Sequence, residues 1–192
     1  MENEQQLIER LKERDSQAFK TLVEEQKDRI YNTCLGFLHN HEDAEDTAQE
    51  VFITVFDSID SFRNEASLAT WIYRIAVTKS LELIRYRKRK KRWSFFEAVA
   101  NEGNPDRVSA QDMFEHPGVA LENKERSAIL FREIDKLTEN QKTAFILHKV
   151  EGLAYKEIAD VMETSVSAVE SLIHRAKTSL RKQLHKFYKD ES

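Results

Sequence analysis

The chain is poor in the residues that form tight turns and covalent crosslinks. It has 2 prolines, 4 glycines and a single cysteine, Cys34, among 192 residues. So few prolines and glycines exclude an all-β protein with many tight turns, and one cysteine excludes an intramolecular disulfide. No apolar run approaches the roughly 20 residues that cross a bilayer, and the first residues lack a cationic start followed by an apolar stretch. We therefore predict a cytoplasmic protein that is neither exported by such a signal nor inserted in a membrane.

The residues that are abundant favour helices. Leu, Ile, Ala, Glu, Lys, Arg and Gln dominate, and 40% of the residues are hydrophobic, which is enough for a core. Apolar side chains recur at steps of three and four, which is the helical period. The pattern predicts an all-α fold, and side chains that can cap helices stand at Asp15 or Ser16, at Asn40 and at Thr138. The predicted helices cover residues 5–14, 16–40, 41–59, 67–92, 124–136, 139–152, 155–162 and 166–188.

The composition changes between residues 94 and 123. Both prolines and two of the four glycines fall there, among acidic side chains. Such a segment is typical of a flexible linker. It divides the chain into an N-terminal helical domain at residues 1–93 and a C-terminal domain at residues 124–192. In the second domain the helices at 155–162 and 166–188 meet at a tight turn, which predicts a helix-turn-helix.

Positive charge is concentrated near the end of the fourth predicted helix, although the net charge of the chain is −4. Seven of the eight residues from Arg85 to Arg92 are Lys or Arg. The helix macrodipole favours each cation there by only about 0.3 to 1 kcal/mol, and mutual repulsion opposes crowding them, so helix stability does not explain the cluster.

Aromatic residues lie along or beside the same helix. They are Phe62, Trp71, Tyr73, Tyr86 and Trp93. We expect Phe62 to be exposed in a loop, and Trp71 to lie in the core or on the surface. A cationic track with rings suits the phosphates and bases of unpaired nucleic acid. A solvated helix end, a localisation signal and contact with an acidic membrane surface are the other interpretations.

An acidic segment, "HEDAEDTAQE" at residues 41–50, opens the third predicted helix. Helical spacing places Asp46, Gln49, Glu50 and Ile53 on one exposed face. A charged face that includes an apolar residue is typical of a docking surface for a basic partner, while paired carboxylates could also serve acid/base catalysis or a divalent metal. The histidines are scattered and no glycine-rich phosphate loop is present. We therefore predict no catalytic residue, metal, cofactor or small-molecule substrate.

The second helix of the predicted helix-turn-helix carries short polar groups and cations on its exposed side. These are Ser167, Glu170, Ser171, His174, Arg175 and residues 177–179. Such a mixture suits base edges and phosphates in duplex DNA. One function consistent with this motif is a free-standing transcriptional regulator whose N-terminal half dimerises or senses a ligand.

Three segments of the sequence, taken in order and with their spacing, resemble those of a known protein family. They are "DAEDTAQEVF" (43–52), "FRNEASLATWIYRIA" (62–76) followed by the basic run, and "LTENQKTAFILHKVEGLAYKEIADVMETSVSAVESLIHRAKTSLRK" (137–182). Together they resemble the extracytoplasmic-function sigma factors, which bind bacterial RNA polymerase core and direct it to promoters. The resemblance implies an alternative sigma factor that recognises −10 and −35 promoter elements.

The resemblance also implies roles for individual residues. Core polymerase, through a coiled-coil of its largest subunit, would be bound by Asp43, Asp46, Gln49, Glu50 and Ile53. The melted −10 element would be bound by Phe62, Arg63, Asn64, Glu65, Trp71, Tyr73, Thr78, Arg85, Arg87, Lys88 and Arg89. Among these, residues 63–65 would line the pocket of a flipped base. The −35 duplex would be bound by Ser167, Ser171, His174, Arg175, Lys177 and Arg181.

Four positions depart from the family pattern. Thr78 stands where asparagine is usual, which leaves the base read there open, and Glu82 replaces aspartate. Glu170 and Leu172 replace residues that are often basic, so the resemblance implies weak −35 binding by this domain alone. Family members are commonly inhibited by an anti-sigma factor that clamps both domains and is frequently anchored in the membrane. We expect such a partner here.

Overall fold

The computed structural model describes residues 4–100 and 121–190, with the backbone alone at 94–100, 121–127 and 186–190. These ranges form helices and turns without a strand, which confirms the all-α prediction. The helices are α1 (Glu4–Lys12), α2 (Ser16–Leu38), α3 (His41–Ser58), α4 (Leu68–Ala100), α5 (Leu121–Ile134), α6 (Glu139–Lys149), α7 (Tyr155–Met162) and α8 (Val166–Asp190), with a 3₁₀ turn at Ile59–Ser61.

The helices begin where the capping residues predict. The Asp15 carboxylate accepts hydrogen bonds from the first turn of α2, and the Asn40 side chain accepts one from the Asp43 N–H of α3 at 2.9 Å. Thr138 and Gln141 form the predicted capping box of α6. Each cap satisfies N–H groups that the helix leaves unpaired and is worth about 1 kcal/mol.

The fourth helix is longer than predicted. It continues past residue 92 to Ala100, and α5 begins at Leu121 rather than at residue 124. The extension follows from the sequence "SFFEAVA" at residues 94–100, which contains neither proline nor glycine to end a helix. The part of the predicted linker between the two helices, residues 101–120, lies outside the described residues.

The N-terminal helices bury the apolar side chains that recur at helical spacing. α2 packs against α3 and α4, and α1 packs against α2. Because these helices are amphipathic, their apolar stripes face inward. The largest fully buried side chains of this half include Leu22, Ile30, Phe37, Val51, Val55, Ile59 and Ile72.

The predicted helix-turn-helix is present in the C-terminal half, where α7 and α8 pack against each other. Glu163 ends α7 in the left-handed region, with φ of 51°. The Ser165 hydroxyl then accepts a hydrogen bond from the Ala168 N–H at 3.1 Å, which starts α8. Ile158 and Ile173 are buried in this half.

The two halves lie against each other. α6 packs on α2 and α7 packs on α4. One hydrophobic core includes side chains from both halves, among them Ile72 from α4, Ile146 from α6 and Val161 from α7. In the described part of the chain, no helix is long and apolar enough to span a bilayer.

Candidate polymerase and nucleic-acid interfaces

The acidic face of α3 is presented to solvent as predicted. Asp46, Gln49 and Glu50 are exposed, and the Ile53 side chain on the next turn is 60% exposed. Asp43 differs, because it is only partly exposed and its carboxylate forms an ion pair with the Arg87 guanidinium of α4. The structure therefore brings four of the five predicted polymerase-binding residues onto one open surface.

Sequence analysis missed one residue of this surface. Phe56 is 36% exposed and lies one turn beyond Ile53 on α3. The Arg14 guanidinium lies 5.0 Å from the centroid of the Phe56 ring and binds the Phe56 carbonyl and the Asp60 carboxylate. Phe56 follows Ile53 by three residues, which places both side chains on one face of a helix. The sequence therefore contains the information needed to predict that Phe56 belongs to this surface. The acidic face thus continues into an apolar patch.

An open groove of about 660 Å³ lies between the exposed sides of α3 and α4. Asp46 and Glu50 line it from α3, while Lys79, Arg85 and Arg89 line it from α4. The Lys79 ammonium lies 3.9 Å from the Glu50 carboxylate across it. The acidic surface of α3 and the cationic surface of α4 therefore meet along one groove.

The loop that precedes α4 presents Arg63, Asn64 and Glu65 to solvent. Asn64 adopts a φ of 57°, in the left-handed region that asparagine tolerates better than most residues. The loop forms a cavity of about 240 Å³ whose lining includes Arg63 and Glu65 together with Phe62 and Trp71. Aromatic walls beside charged groups can stack a base and hydrogen-bond its edge.

Phe62 is not an exposed ring, contrary to the prediction. Only 5% of the residue is exposed, because its ring packs against Trp71 with 5.2 Å between ring centroids. Trp71 is itself half-buried against the main core. The two rings form the wall and floor of the loop cavity rather than a freely accessible stacking platform.

Two predicted −10 residues of α4, Tyr73 and Thr78, face the C-terminal half. Tyr73 is 2% exposed, and its hydroxyl donates to Glu151 at 3.1 Å. Burial is the largest of the effects that raise the pKa of the Tyr73 phenol. Thr78 is exposed but lines a crevice of about 230 Å³, together with Asn140 of α6 and Met162 of α7.

Further along α4, Arg85 and Arg87 are engaged in ion pairs. The Arg85 Nε donates to Glu139 of α6 at 3.0 Å, and this hydrogen bond lowers the pKa of the Glu139 carboxyl. Arg87 pairs with Asp43 of α3. Carboxylates therefore neutralise two of the predicted −10 cations. Arg87 pairs within the N-terminal half, and Arg85 pairs with the C-terminal half.

The last described side chains of α4 point to solvent. Lys88 and Arg89 are exposed, Tyr86 is 54% exposed and Trp93 is 69% exposed. Large aromatic side chains rarely remain this exposed without a partner surface. Six consecutive cations, at residues 87–92, thus lie between two exposed rings on this part of α4, as the interpretation of a nucleic-acid track requires.

The predicted −35 residues lie on the outer face of α8. Five of the six are exposed, and only Lys177 is partly buried. On the opposite face Val169, Ile173 and Ala176 are buried in the core. The helical period separates the two sets, so the recognition face is accessible along its length.

The described residues hold no group of three or more His, Cys, Asp or Glu side chains placed to bind a metal ion. Cys34 is fully buried, and burial raises the pKa of its thiol to about 11. Such a thiol is not a nucleophile at neutral pH.

Two family models match the chain. Residues 22–90 match "Sigma-70 region 2", which covers α3 and most of α2 and α4, and residues 127–180 match "Sigma-70, region 4", which includes the helix-turn-helix. Over 183 residues the chain is 34% identical to the RNA polymerase sigma-H factor of Pseudomonas aeruginosa, covering 95% of this chain and 94% of that protein. It is also 34% identical to the ECF RNA polymerase sigma factor SigW of Bacillus subtilis over 179 residues, covering 92% of this chain and 94% of SigW.

The chain belongs to the extracytoplasmic-function sigma factors. As a sigma factor it directs promoter-specific initiation by RNA polymerase, and it is not an enzyme. The alternative of a free-standing helix-turn-helix regulator loses its basis, because the N-terminal half matches a sigma-70 region rather than a sensing or dimerisation domain.

The same fold occurs in a solved structure. The sigma factor RpoE of Bartonella quintana, in complex with the anti-sigma factor NepR, superposes with a TM-score of 0.62. The alignment covers 87% of this chain and 96% of that chain at 18% identity. At that identity the likeness shows the fold alone.

Proposed function

We propose that this sigma factor uses three separate surfaces during initiation. The exposed face of α3 binds core polymerase, the loop before α4 together with α4 binds the melted −10 element, and the outer face of α8 reads the −35 duplex. The observation that carries the proposal is the separation of charge in the N-terminal half, where exposed carboxylates on α3 and exposed cations on α4 face outward on either side of one groove.

The polymerase-binding surface consists of Asp46, Gln49, Glu50 and Ile53, extended by Phe56. Its carboxylates favour a basic partner and steer its approach, while Ile53 and Phe56 supply apolar area that is removed from water on binding. The coiled-coil of the largest polymerase subunit is the partner that the family resemblance implies. Asp43 supports this surface indirectly, since its ion pair with Arg87 ties α3 to α4.

The −10 surface combines the loop cavity with the end of α4. Extruding a base costs a few kcal/mol of stacking and pairing. Stacking and hydrogen bonds in the loop cavity, which Arg63 and Glu65 line beside Asn64, offset that cost. Lys88 and Arg89 bind backbone phosphates beside it. Rings at Tyr86 and Trp93 are available for stacking with unpaired bases.

The −35 surface is the outer face of α8. His174 and Arg175 lie where side chains of a recognition helix contact base edges in the major groove. Arg181 lies nearer the C-terminal end of α8, where it would contact DNA phosphates. Glu170 lies on the same face and weakens non-specific attraction to DNA. The predicted domains at residues 1–93 and 124–192 then act as the polymerase and −10 domain and as the −35 domain. The linker predicted at residues 94–123 is shortened at both ends by α4 and α5, which leaves residues 101–120 between the two helices.

We propose further that the protein works in the cytoplasm and is held inactive by an anti-sigma factor. The support is the family resemblance and the fold shared with RpoE of Bartonella quintana, which was solved with the anti-sigma factor NepR. Such a partner would compete for the same exposed surfaces.

Charge reversal on α3 tests the polymerase surface. We expect Asp46→Lys with Glu50→Lys to weaken binding to bacterial core polymerase by about tenfold or more, because like charges across an interface repel. The measurement is a titration of labelled protein with core enzyme, followed by transcription from genomic promoter fragments. Glu25→Lys with Asp28→Lys, two exposed carboxylates on α2, makes the same change of charge away from α3 and is the matched control. Equal weakening by this control would contradict the assignment.

A further inference from the structure

The loop before α4, residues 62–67, is anchored at both ends and open in the middle. Phe62 at its first position is 5% exposed, and Leu68, which follows its last position, is 3% exposed. Residues 63–65, which carry the polar groups of the proposed base pocket, are exposed. The geometry of the pocket therefore depends on how the two ends of this loop, called the −10 loop below, are held.

The helix α1 contributes a polar contact at the far end of the −10 loop. The Glu4 carboxylate, in the first turn of α1, accepts a hydrogen bond from the Leu68 N–H at 3.1 Å. That N–H group is the first of α4 and has no partner within the helix. A carboxylate there also interacts favourably with the positive end of the helix dipole. A side chain 64 residues earlier in the chain therefore helps to fix the start of α4.

The last turn of α1 contacts the near end of the same loop. The Lys12 ammonium donates to the Phe62 carbonyl at 3.4 Å. Between Glu4 and Lys12, the side chains of Ile8 and Leu11 are buried in the main core. Because this apolar side anchors α1, the charged residues at its two ends hold the two ends of the −10 loop at a fixed separation.

The turn that follows α1 supports the residues just before the −10 loop. The Arg14 guanidinium donates to the Asp60 carboxylate of the 3₁₀ turn at 2.6 Å. It also donates to the Phe56 carbonyl in the last turn of α3. The end of α3, the 3₁₀ turn and both ends of the loop are thus all contacted by side chains of α1 and of the turn after it.

Arg14 makes its contacts from an unusual backbone conformation, with φ of 63°. The Arg14 N–H donates to the Leu11 carbonyl at 3.1 Å, and the Asp15 N–H donates to the Arg10 carbonyl at 3.0 Å. These two bonds form a Schellman helix ending, in which glycine is the usual residue in the left-handed position. A side chain raises the energy of that conformation, so an arginine there points to a role for its guanidinium.

We infer that α1 positions the −10 loop for base capture. Glu4, Lys12 and Arg14 are positioning residues, because they hold the loop cavity in the conformation that accepts an extruded base and act on DNA only through the loop. The inference rests on the proposed role of the loop. All three residues precede the segment that matches "Sigma-70 region 2", which begins at residue 22. A loop that is ordered before binding loses less conformational freedom when the base enters.

Removal of the two contacts at the loop ends tests this role. Glu4→Ala with Lys12→Met abolishes both hydrogen bonds and leaves the buried side of α1 unchanged. Arg14 is kept, because its guanidinium also lies 5.0 Å from the ring centroid of Phe56, a residue of the proposed polymerase-binding surface. The measurement is the binding of holoenzyme to fork-shaped promoter DNA, either intact or with one abasic site placed in turn at each position of the −10 element.

The abasic DNA distinguishes a positioning role from a general effect on the fold. At the position where the native protein loses most affinity without the base, we expect the variant to bind the intact fork about tenfold more weakly. A tenfold loss corresponds to a loop that adopts its binding conformation in roughly one molecule in ten. Binding to the abasic fork and to core polymerase should stay unchanged, because neither uses the base pocket.

Two further variants control for charge and for the loss of hydrogen bonds. Glu4→Gln with Lys12→Arg keeps an acceptor and a donor at the same positions, so it should restore most of the affinity for the intact fork. Glu9→Ala with Lys20→Met makes the same change of charge at exposed residues and should bind every fork like the native protein.

The outcomes separate the positioning role from the proposed function. An equal loss of binding to intact and abasic forks overturns the inference, because α1 then supports the fold as a whole rather than the pocket. Unchanged binding of the intact fork by Glu4→Ala with Lys12→Met also overturns it. If the native protein binds all abasic forks as tightly as the intact one, the proposed base pocket itself is wrong, and the inference is overturned with it.

Discussion

The two surfaces that contact DNA in the proposed function are presented in different ways. On α8 five of the six −35 residues are exposed, whereas on α4 Tyr73 is buried and Arg85 is paired with a carboxylate of the C-terminal half, and only the final turns are free of that half. Duplex recognition needs only an accessible helix face, while strand separation has to occur at the right place and time. The difference shows that the C-terminal half contacts part of the −10 surface and leaves the outer face of α8 open.

The largest effect should come from the open surface. We expect Arg175→Ala to cost about 1 to 3 kcal/mol at one position of the −35 element, because a side chain that contacts base edges carries sequence information. The measurement is the binding of holoenzyme to promoter fragments substituted at single −35 positions. Lys182→Ala, an exposed cation on the same helix outside the predicted set, should weaken binding without changing the preferred base.

This variant also tests the comparison itself. If the outer face of α8 is open in the free protein, Arg175→Ala should weaken the binding of −35 duplex by the free protein as it does in the holoenzyme. A variant that changes binding only in the holoenzyme would show that α8 is covered in the free protein, and the contrast between α4 and α8 would no longer hold.

A smaller effect is expected at the open end of α4. Lys88→Gln with Arg89→Gln should slow open-complex formation more than it weakens core binding. The plot of log affinity against log salt should also become shallower by about 0.7 to 0.9 for each phosphate that the variant no longer neutralises. Binding of holoenzyme to fork-shaped promoter DNA at several salt concentrations measures this slope.

Lys20→Gln with Lys27→Gln, on the exposed side of α2, is the matched control. A slope that changes equally in both variants would argue against binding of DNA by α4.

The smallest effect concerns the covered end of α4. The pKa of Glu151 is raised, and burial of its carboxyl is the largest cause. Hydrogen bonds from Tyr73 and Thr33 and the charge of Arg29 lower the pKa, but by less than burial raises it. A carboxyl with a raised pKa binds its proton more tightly in the native state, so its contribution to stability is greatest below its ordinary value of 4.5 and falls as pH rises through the raised value.

The Glu151→Gln variant isolates that contribution. We expect the melting temperature of the native protein, relative to the variant, to decrease as pH rises above 4.5. Thermal unfolding of both proteins across the same pH series provides the measurement, and Glu170→Gln on exposed α8 serves as the comparison. A difference that stays constant with pH would mean that Glu151 is not buried in solution.

Local features of the fold could be predicted from the sequence. Asp15, Asn40 and Thr138 each act over the next three residues, so capping chemistry alone located the starts of α2, α3 and α6. The tight turn between α7 and α8 was recognised for the same reason. The outward face of α8 followed from its period, because the apolar residues of that helix recur at steps of three and four and leave the polar residues on the other side.

Features that depend on distant neighbours could not be predicted. The aromatics and cations around Tyr73 do not indicate that its ring is buried or that its hydroxyl donates to Glu151, which lies 78 residues further along the chain. Phe62 was expected in solvent because the apolar period fails around it, yet Trp71 covers it. Periodicity within one helix identifies an apolar side but does not identify what will cover it.

The extension of α4 to Ala100 limits how far apart the halves can move. With α5 starting at Leu121, only residues 101–120 connect the two helices, and about 20 residues span at most about 70 Å even when fully drawn out. The −10 and −35 elements of this family lie about one and a half helical turns, or about 50 Å, apart. The maximum length of residues 101–120 therefore exceeds the separation of the two promoter elements by about 20 Å. A deletion of more than about six of these residues should leave the protein able to bind either promoter element but not both at once.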